Sequence, residues 1–202
     1  MRLSNTAHTS RPWPIHEIAP DFELEDVWAL PTPGGPEDFP RLVRLVSSGG
    51  RSQGGSSHAA RTLWAFRWKA GKLLGWDRQD AGPGFGEPTL RDRLPADLRD
   101  GPSGPDFDAL PFTPLYLLED EFAAEIVNRT VHGVMHLGWV PDRQDGYRGQ
   151  MAVHVRPNGL LGTAYMAAIK PFRYMIVYPA LMRQIGREWR EPTHELRWAD
   201  AH

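Results

Sequence analysis

The fold is decided by residues 131–189, which read VHGVMHLGWVPDRQDGYRGQMAVHVRPNGLLGTAYMAAIKPFRYMIVYPALMRQIGREW. Apolar residues recur at alternate positions along 131–140 and again along 147–157, which is the period of a β-strand. Asn158-Gly159 is typical of a tight hairpin, so residues 160–170 are predicted to pair back as another strand. The stretch therefore predicts a run of antiparallel strands.

The same stretch ends in a long amphipathic helix. Its apolar residues recur at helical spacing: Phe172, Met175, Ile176, Pro179, Met182, Ile185, Gly186 and Trp189. Four arginines are predicted to face the other way: Arg173, Arg183, Arg187 and Arg190. Pro179 removes one backbone hydrogen bond, so the helix is predicted to kink near Met175. A kinked helix does not close flush against a sheet, which leaves space for a cavity between them.

The chain before residue 131 supplies the remaining elements. Residues 21–30 and 111–121 predict strands, and 122–130 fits either a strand or a helical turn. Helical spacing predicts two helices, at 37–46 and 58–76. The rest is assigned as an irregular N-terminal arm at 1–20, flexible loops at 47–57 and 78–111, and a tail at 191–202. With the arm and the tail set apart, residues 21–190 are predicted to form a single domain.

Composition excludes several classes of protein. The 202 residues contain no cysteine, which rules out disulfides, thiolate metal sites and cysteine nucleophiles. A formal charge of −2 gives no general attraction to nucleic acid, so no nucleic-acid partner is expected. No apolar run is long enough for a membrane span, and the first 20 residues lack the apolar core of a signal peptide. We therefore expect a cytoplasmic protein.

Four segments together resemble the family called domain of unknown function 2867. They are RWKAGKLLGWD (67–77), LRDRLP (90–95), NRTVHGVMHLGWV (128–140) and AVHVRPNGLLGTAYMAAIKPFRYMIVYPALMRQI (152–185). The similarity runs from Asp21 to Trp189, and the order of elements resembles the helix-grip fold of the START-like (SRPBCC, Bet v 1-like) superfamily. This resemblance implies an α+β fold: a curved antiparallel sheet wrapped around a long kinked C-terminal helix, with two shorter helices after the first strand. It implies a hydrophobic cavity between sheet and helix, but no reaction and no cofactor.

His132 and His136 are the candidate catalytic residues. Their H-x-x-x-H spacing suits two metal ligands on a helix, but the glutamate of the zinc peptidase motif is absent. On a strand the two Cα atoms lie about 13 Å apart at ~3.3 Å per residue, so no metal site is predicted. A histidine inside an apolar cavity can act as a general acid or base. We favour the alternative, a hydrogen-bonded histidine on a solvated sheet face.

Several residues are candidates for contacts with a ligand in the cavity. Arg129 shares a strand face with Glu125: pointing inward it would bind a carboxylate or phosphate, and pointing outward it would form a surface ion pair. Tyrosines on the last strand and helix would present hydroxyl groups, and tryptophans of the second helix would line the same space. The full set is Trp64, Trp68, Arg129, His132, Tyr165, Tyr174 and Tyr178.

Three functions follow as hypotheses. The leading one is binding of a small hydrophobic molecule in the cavity between sheet and C-terminal helix, without chemistry. The second is an enzyme of the cyclase, dehydratase or isomerase type that uses His132 or His136 as general acid or base. The third is a protein-interaction module whose groove is filled by its own loop at 78–110.

Overall fold

A computed structural model describes residues 1–49, 88–108, 110–128, 130–142 and 146–191 of the protein. The predicted helix at 58–76 lies outside these residues, together with Trp64, Trp68 and Arg129. Most of the predicted loop at 47–57, the first part of the loop at 78–111 and the tail after residue 191 also lie outside them.

Within the described residues, six strands form one antiparallel sheet in the order β1-β2-β6-β5-β4-β3. The strands are β1 (Arg2–Leu3), β2 (Glu23–Ala29), β3 (Thr113–Leu117), β4 (Glu121–Val127), β5 (Val131–Asp142) and β6 (Gly146–Pro157). The helices are α1 (Thr6–Thr9), α2 (Ile15–Ile18), α3 (Phe39–Ser47), α4 (Ala96–Arg99), α5 (Gly159–Phe172) and α6 (Tyr178–Arg190). A π turn (Arg173–Val177) joins α5 to α6, and 3-10 turns lie at Pro36–Asp38 and Leu90–Arg93. Among these residues, no helix is both long and apolar enough to cross a membrane.

The front face of the sheet, defined as the face that carries Leu137 and Trp139 of β5, packs against α3 and α6. Side chains of the two helices and of the sheet form one buried cluster there, which includes Leu42 of α3 and Ile185 and Trp189 of α6. Burial of apolar surface of this kind stabilises a fold by about 25 cal/mol per Å². The front face therefore holds the C-terminal helix on the sheet.

The opposite, back face of the sheet is also covered. Val134 and Val140 of β5 lie there, against side chains from two segments outside the sheet. The segment before β2 contributes Trp13, Ile15, Ile18 and Phe22, and the segment before β3 contributes Leu90, Leu94 and Leu98. Because both faces of the central strands are buried, every polar side chain on them needs a partner within the protein.

Most of the predicted elements are confirmed. The strands predicted at 21–30, 131–140 and 147–157 correspond to β2, β5 and β6, and the helix predicted at 37–46 is α3. The prediction at 111–121 is confirmed in part by β3, which occupies Thr113–Leu117. The ambiguous segment 122–130 forms a strand, β4, as far as Val127.

The predicted hairpin at Asn158-Gly159 is wrong. Gly159 does adopt a positive φ of 66°, but it leads from β6 into helix α5 and not into a returning strand. Tyr165 consequently lies on a helix. Residues 160–169 are mostly Leu, Ala and Met, which favour a helix, and a nearly continuous apolar run does not distinguish the two periods.

The predicted irregular arm at 1–20 is not irregular. It contains β1, α1 and α2, and β1 pairs with β2 through Arg2↔Trp28 and Leu3↔Val27. His8 and Ile15 are fully buried in it. The prolines that indicated a loop instead separate short elements, because Pro14 immediately precedes the single turn of α2.

The C-terminal helix is disrupted where Pro179 predicts it, because the π turn ends just before α6. The predicted direction of its first turns is wrong, however. Met175 is 77% exposed and Ile176 46% exposed, whereas Arg173, predicted to point outward, is largely buried. A π turn contains more residues than an α turn, so it rotates the residues before it relative to those after it.

Gly138 of β5 permits the close approach of Trp13 to the back face. A Cβ atom at position 138 would lie 2.8 Å from Cζ2 of Trp13. We expect Gly138→Ala to lower the free energy of unfolding by about 1–3 kcal/mol, because the ring has to move. Urea denaturation measures this change.

The matched control is Gly35→Ala, where a Cβ would have only Asp38 Oδ2, at 3.9 Å, nearby. This change should stay within about 0.5 kcal/mol. Equal effects of the two substitutions would contradict the contact between Trp13 and β5.

Candidate functional site

A buried carboxylate, Asp26, organises the polar groups of the front face. Strand β2 shifts its register against β6 between Leu24 and Asp26, so Glu25 is an extra residue and Asp26 points to the same side as Trp28. Asp26 is 0% exposed and accepts hydrogen bonds from Trp28 Nε1 at 2.9 Å, Arg173 at 2.8 Å and the Tyr178 hydroxyl at 3.2 Å. Because of the bulge, the Asp26 carboxylate is a buried anion that accepts hydrogen bonds from three donors.

The π turn brings two of these donors together. Arg173 and Tyr178 stand at its two ends, and Arg173 also donates to the Tyr178 hydroxyl oxygen at 2.6 Å. Burial alone lowers the pKa of Arg173, but Tyr178, Asp26 and Glu25 outweigh burial and raise it, so the guanidinium stays charged. Burial raises the pKa of Tyr178, which keeps the phenol neutral. The result is a buried ion pair bridged by a tyrosine.

Tyr174 lies at the edge of this front-face network. Its ring centroid is 6.0 Å from that of Tyr178, and its hydroxyl is 3.5 Å from the carbonyl oxygen of Glu25. Burial and the Asp26 carboxylate raise the pKa of Tyr174. Lys170 lies 3.3 Å from the carboxylate of Glu25 on the outer side. The network therefore extends from a buried carboxylate to a half-buried hydroxyl.

On the back face, His132 pairs with Glu125. Nε2 of His132 is 2.7 Å from the Glu125 carboxylate, which also accepts bonds from the Thr89 hydroxyl and from the Leu90 N–H at 3.0 Å. Burial alone raises the pKa of Glu125, but these hydrogen bonds outweigh it and lower the pKa. The Glu125 carboxylate thereby connects the 3-10 turn at Leu90 to the sheet. Its role is structural.

His136 belongs to a second chain of polar groups on the back face. Its Nε2 is 2.9 Å from Glu121, which also accepts a hydrogen bond from the Tyr116 hydroxyl. Its Nδ1 is 3.1 Å from Nε2 of His8, and Nδ1 of His8 is 2.9 Å from Nε2 of His16. Burial and Glu121 raise the pKa of Tyr116 well above its usual value. The chain connects a buried phenol with a half-buried histidine.

The candidate residues from the sequence do not form one site. His132 is 1% exposed and His136 0% exposed, so the favoured solvated face for these histidines is wrong. Both lie on the back face, away from the C-terminal helix, whereas Tyr174 and Tyr178 lie on the front. Tyr165 lies on α5 and is half-buried.

Sequence reasoning missed the groups that organise both networks. Asp26 had one signal, because the apolar alternation of residues 21–30 is irregular where the bulge falls. His8, His16 and Glu121 had none, because they meet only through the packing of distant segments. Among the described residues, no three histidine, aspartate or glutamate side chains are placed to hold a metal ion.

A groove of about 460 Å³ lies along one flank of α6, open to solvent. It is lined by Met1, Pro31, Met182, Arg183, Gly186, Arg187 and Arg190. Its arginines are exposed, and the groove does not open between the inner side of α6 and the sheet, where the front-face core is packed.

The fold defines an α+β protein with an open antiparallel sheet and a long C-terminal helix. The model of the family described as Protein of unknown function (DUF2867) matches residues 18–180, and the chain belongs to this family. No curated protein and no solved structure shows a significant match. The matched range contains Asp26, Arg173 and Tyr178, but begins after His8 and His16.

We expect Asp26→Asn to lower the free energy of unfolding by about 3–5 kcal/mol, because it leaves Arg173 buried without its main counter-charge. Chemical denaturation at pH 7 measures the loss. The control is Asp21→Asn, which removes an exposed carboxylate paired with Arg93 and Arg156. The control should cost less than about 1 kcal/mol. A small effect of Asp26→Asn would show that the front-face network does not stabilise the fold.

Proposed function

We propose that the protein binds a small, largely apolar molecule between the front face of the sheet and helix α5. One observation carries this proposal. Helix α5 is held on the sheet at both of its ends, while the apolar side chains between the two attachments are only half-buried. Binding sites for small molecules are concave and mostly apolar, with a few polar groups that orient the ligand.

The first attachment is at the start of α5. Gly162 lies so close to the carbonyl oxygen of Thr130 that no Cβ would fit there. The backbone N–H of Asn158 donates to the same carbonyl at 2.8 Å. The second attachment is at the π turn, where Arg173 reaches Asp26. Between Gly162 and Arg173 the helix spans about 17 Å at ~1.5 Å per residue, which is the length of a small ligand.

The side chains between these attachments supply an apolar surface. Met166 and Ile169 of α5 are half-buried, and so are Ile126 of β4 and Val153 of β6 on the front face. In a well-packed core such residues are fully buried. An apolar molecule in this position would complete their burial, which supplies the free energy of binding.

The polar end of the proposed ligand would lie at Tyr174. Tyr174 is half-buried, and its hydroxyl makes a long contact of 3.5 Å with the carbonyl oxygen of Glu25. Asp26 and Arg173 already satisfy one another, so they orient the tyrosines and do not attract a strongly charged ligand. The chemistry favoured is an apolar body with one hydroxyl or carbonyl group.

We also propose that the fold is the helix-grip fold of the START-like superfamily. The support is topological: the first long strand, β2, pairs with the last strand, β6, and the C-terminal helix crosses the front face. In that fold the resemblance predicts a cavity between sheet and helix, which is the position proposed for the ligand.

An enzymatic role for His132 or His136 receives no support from their positions. Both are buried on the back face, and each is hydrogen-bonded to its own glutamate. A ligand on the front face would be separated from them by the sheet.

Space-filling substitutions test the proposal. We expect Ile169→Trp to weaken binding of the uncharged fluorescent probe N-phenyl-1-naphthylamine at least tenfold, or ~1.4 kcal/mol, because the indole would occupy the site. The control is Ala164→Trp, which adds the same ring on the exposed side of the same helix and should leave the affinity unchanged. Fluorescence titration gives both values, and circular dichroism checks that the variants are folded.

Native mass spectrometry of the protein purified from cells, followed by denaturing extraction, identifies a retained ligand. A stoichiometric apolar molecule that is absent from Ile169→Trp supports the proposal. Equal probe binding by wild type and both variants would overturn it, because the probe would then bind elsewhere, for example on the exposed side of α5.

A further inference from the structure

Four histidines from four different elements meet on the back face. They are His8 of α1, His16 of α2, His136 of β5 and His154 of β6, and are called the histidine cluster below. The ring centroid of His8 lies 4.7 Å from that of His136, 4.8 Å from that of His16 and 5.1 Å from that of His154. Two members belong to the N-terminal segment, residues 1–22, and two to the sheet. The cluster therefore lies at the contact between them.

The hydrogen bonds of the cluster are complete with all three bonded imidazoles neutral. The Glu121 carboxylate accepts, so Nε2 of His136 carries the hydrogen and its Nδ1 accepts from Nε2–H of His8. Nδ1 of His8 then accepts from Nε2–H of His16. A second proton on His8 would point at the N–H of His16, so His16 would have to move its hydrogen to Nδ1. Protonation of His8 therefore disturbs the chain that joins the segment to the sheet and places a charge where His8 is 0% exposed.

The surroundings of His8 also oppose a positive charge. Burial, followed by the neighbouring His136, His154 and His16, lowers the pKa of His8 to about 2. Burial, His136 and His16 lower the pKa of His154 to about 3. The pKa of His16 is lowered as well, mainly by burial, although Glu121 acts in the opposite direction.

The other groups that face His8 do not compensate such a charge. Trp13 of the segment contributes a neutral ring, 6.3 Å between centroids. Gln150 of β6 donates to the carbonyl oxygen of Ala7 at 3.3 Å. On β4, Glu121 is separated from His8 by the ring of His136. Nε2 of His154 is buried and makes no hydrogen bond.

We propose that the histidine cluster is a proton-operated latch, which keeps the N-terminal segment docked on the back face while its histidines are neutral and releases the segment when they become protonated. The segment has other attachments: burial of Trp13, Ile15 and Ile18 on the back face, two residue pairs of β1 with β2, one bond from Asn5 to the Leu24 carbonyl, and ion pairs of Asp21 with Arg93 and Arg156. Protonation of the cluster shifts the docking equilibrium against these attachments. Release removes Trp13, Ile15 and Ile18 from the sheet and uncovers an apolar surface.

The direction of the pH effect follows from the lowered pKa values. In the released state His8 and His154 regain ordinary pKa values near 6.5, so that state binds more protons at mildly acidic pH. Docking is therefore favoured above pH 6.5 and weakens as the pH falls below it. With two protons taken up, the docking constant falls by about 600-fold between pH 7 and pH 5, and the fall approaches about 100-fold per pH unit only below about pH 5.5.

Hydrogen–deuterium exchange of the full chain tests this inference. Rates are measured by mass spectrometry from pH 7.5 to 5.0 and corrected for the intrinsic pH dependence of exchange. We expect the opening constant of peptides within residues 5–20 to rise as the pH falls, with a slope that approaches two protons per opening below about pH 5.5. Peptides from α3 (Phe39–Ser47), which packs on the front face, serve as the internal reference. Their opening constant should not change with pH.

Variants separate the cluster from other titrating groups. The double variant His8→Gln and His154→Gln should reduce the slope to below one proton. The control His132→Gln removes a buried histidine of the same face that is bonded to Glu125 and lies outside the cluster. It should retain a slope near two.

Three outcomes would overturn the latch. The opening constant of residues 5–20 could be independent of pH, the opening constant of α3 could rise equally, or the pH dependence could be lost in His132→Gln. Should the double variant not fold, nitrogen NMR of the wild-type histidines decides the question. A neutral His8 with its hydrogen on Nε2 at pH 6 supports the latch, and an imidazolium at that pH overturns it. The front-face ligand proposal is independent of either result.

Discussion

The pairing of β5 with β6 is the constraint on which the rest of the structure depends. It runs without a break from Val131↔Pro157 to Asp142↔Gly146, and its register determines which residues of β5 face the C-terminal helix and which face the N-terminal segment. A slip of one residue would place His132 and His136 against α6 and would move Leu137 to the back. Two separate cores and two separate polar networks follow from this one register.

Burial of both faces explains why the polar groups of the sheet are connected as they are. An uncompensated charge inside a protein is costly, so buried ions are paired and buried polar atoms are bonded. On the front, a bulge places the Asp26 carboxylate against the Arg173 guanidinium. On the back, Glu121 and Glu125 each accept a hydrogen bond from a histidine. The front network is a fixed ion pair, whereas the back chain includes histidines, which titrate near neutral pH when exposed.

Much of the fold could be predicted from periodicity, because β2, β5, β6 and α3 have one clear pattern each. The segment at 159–172 could not, since a nearly continuous apolar run satisfies both the helical and the strand period. The site was harder to predict for a different reason. His8 and His136 are 128 residues apart and meet only because short elements fold over the back face. Such a contact leaves no local pattern, and a histidine in a proline-rich stretch is typical of a loop.

The π turn changes which residues of the C-terminal helix face the sheet. Successive residues of an α-helix are about 100° apart, so the buried stripe of α6, extended backwards without a break, would pass through Met175, Pro171, Ala168, Ala164 and Leu160. These residues are instead exposed. If the same residues formed a regular α turn in place of the π turn, that stripe would face the sheet and Arg173 would be separated from Tyr178. The sequence thus fits two helical registers, with and without the π turn, and the contact of Arg173 with the buried Asp26 carboxylate requires the one that leaves an apolar ridge facing outward.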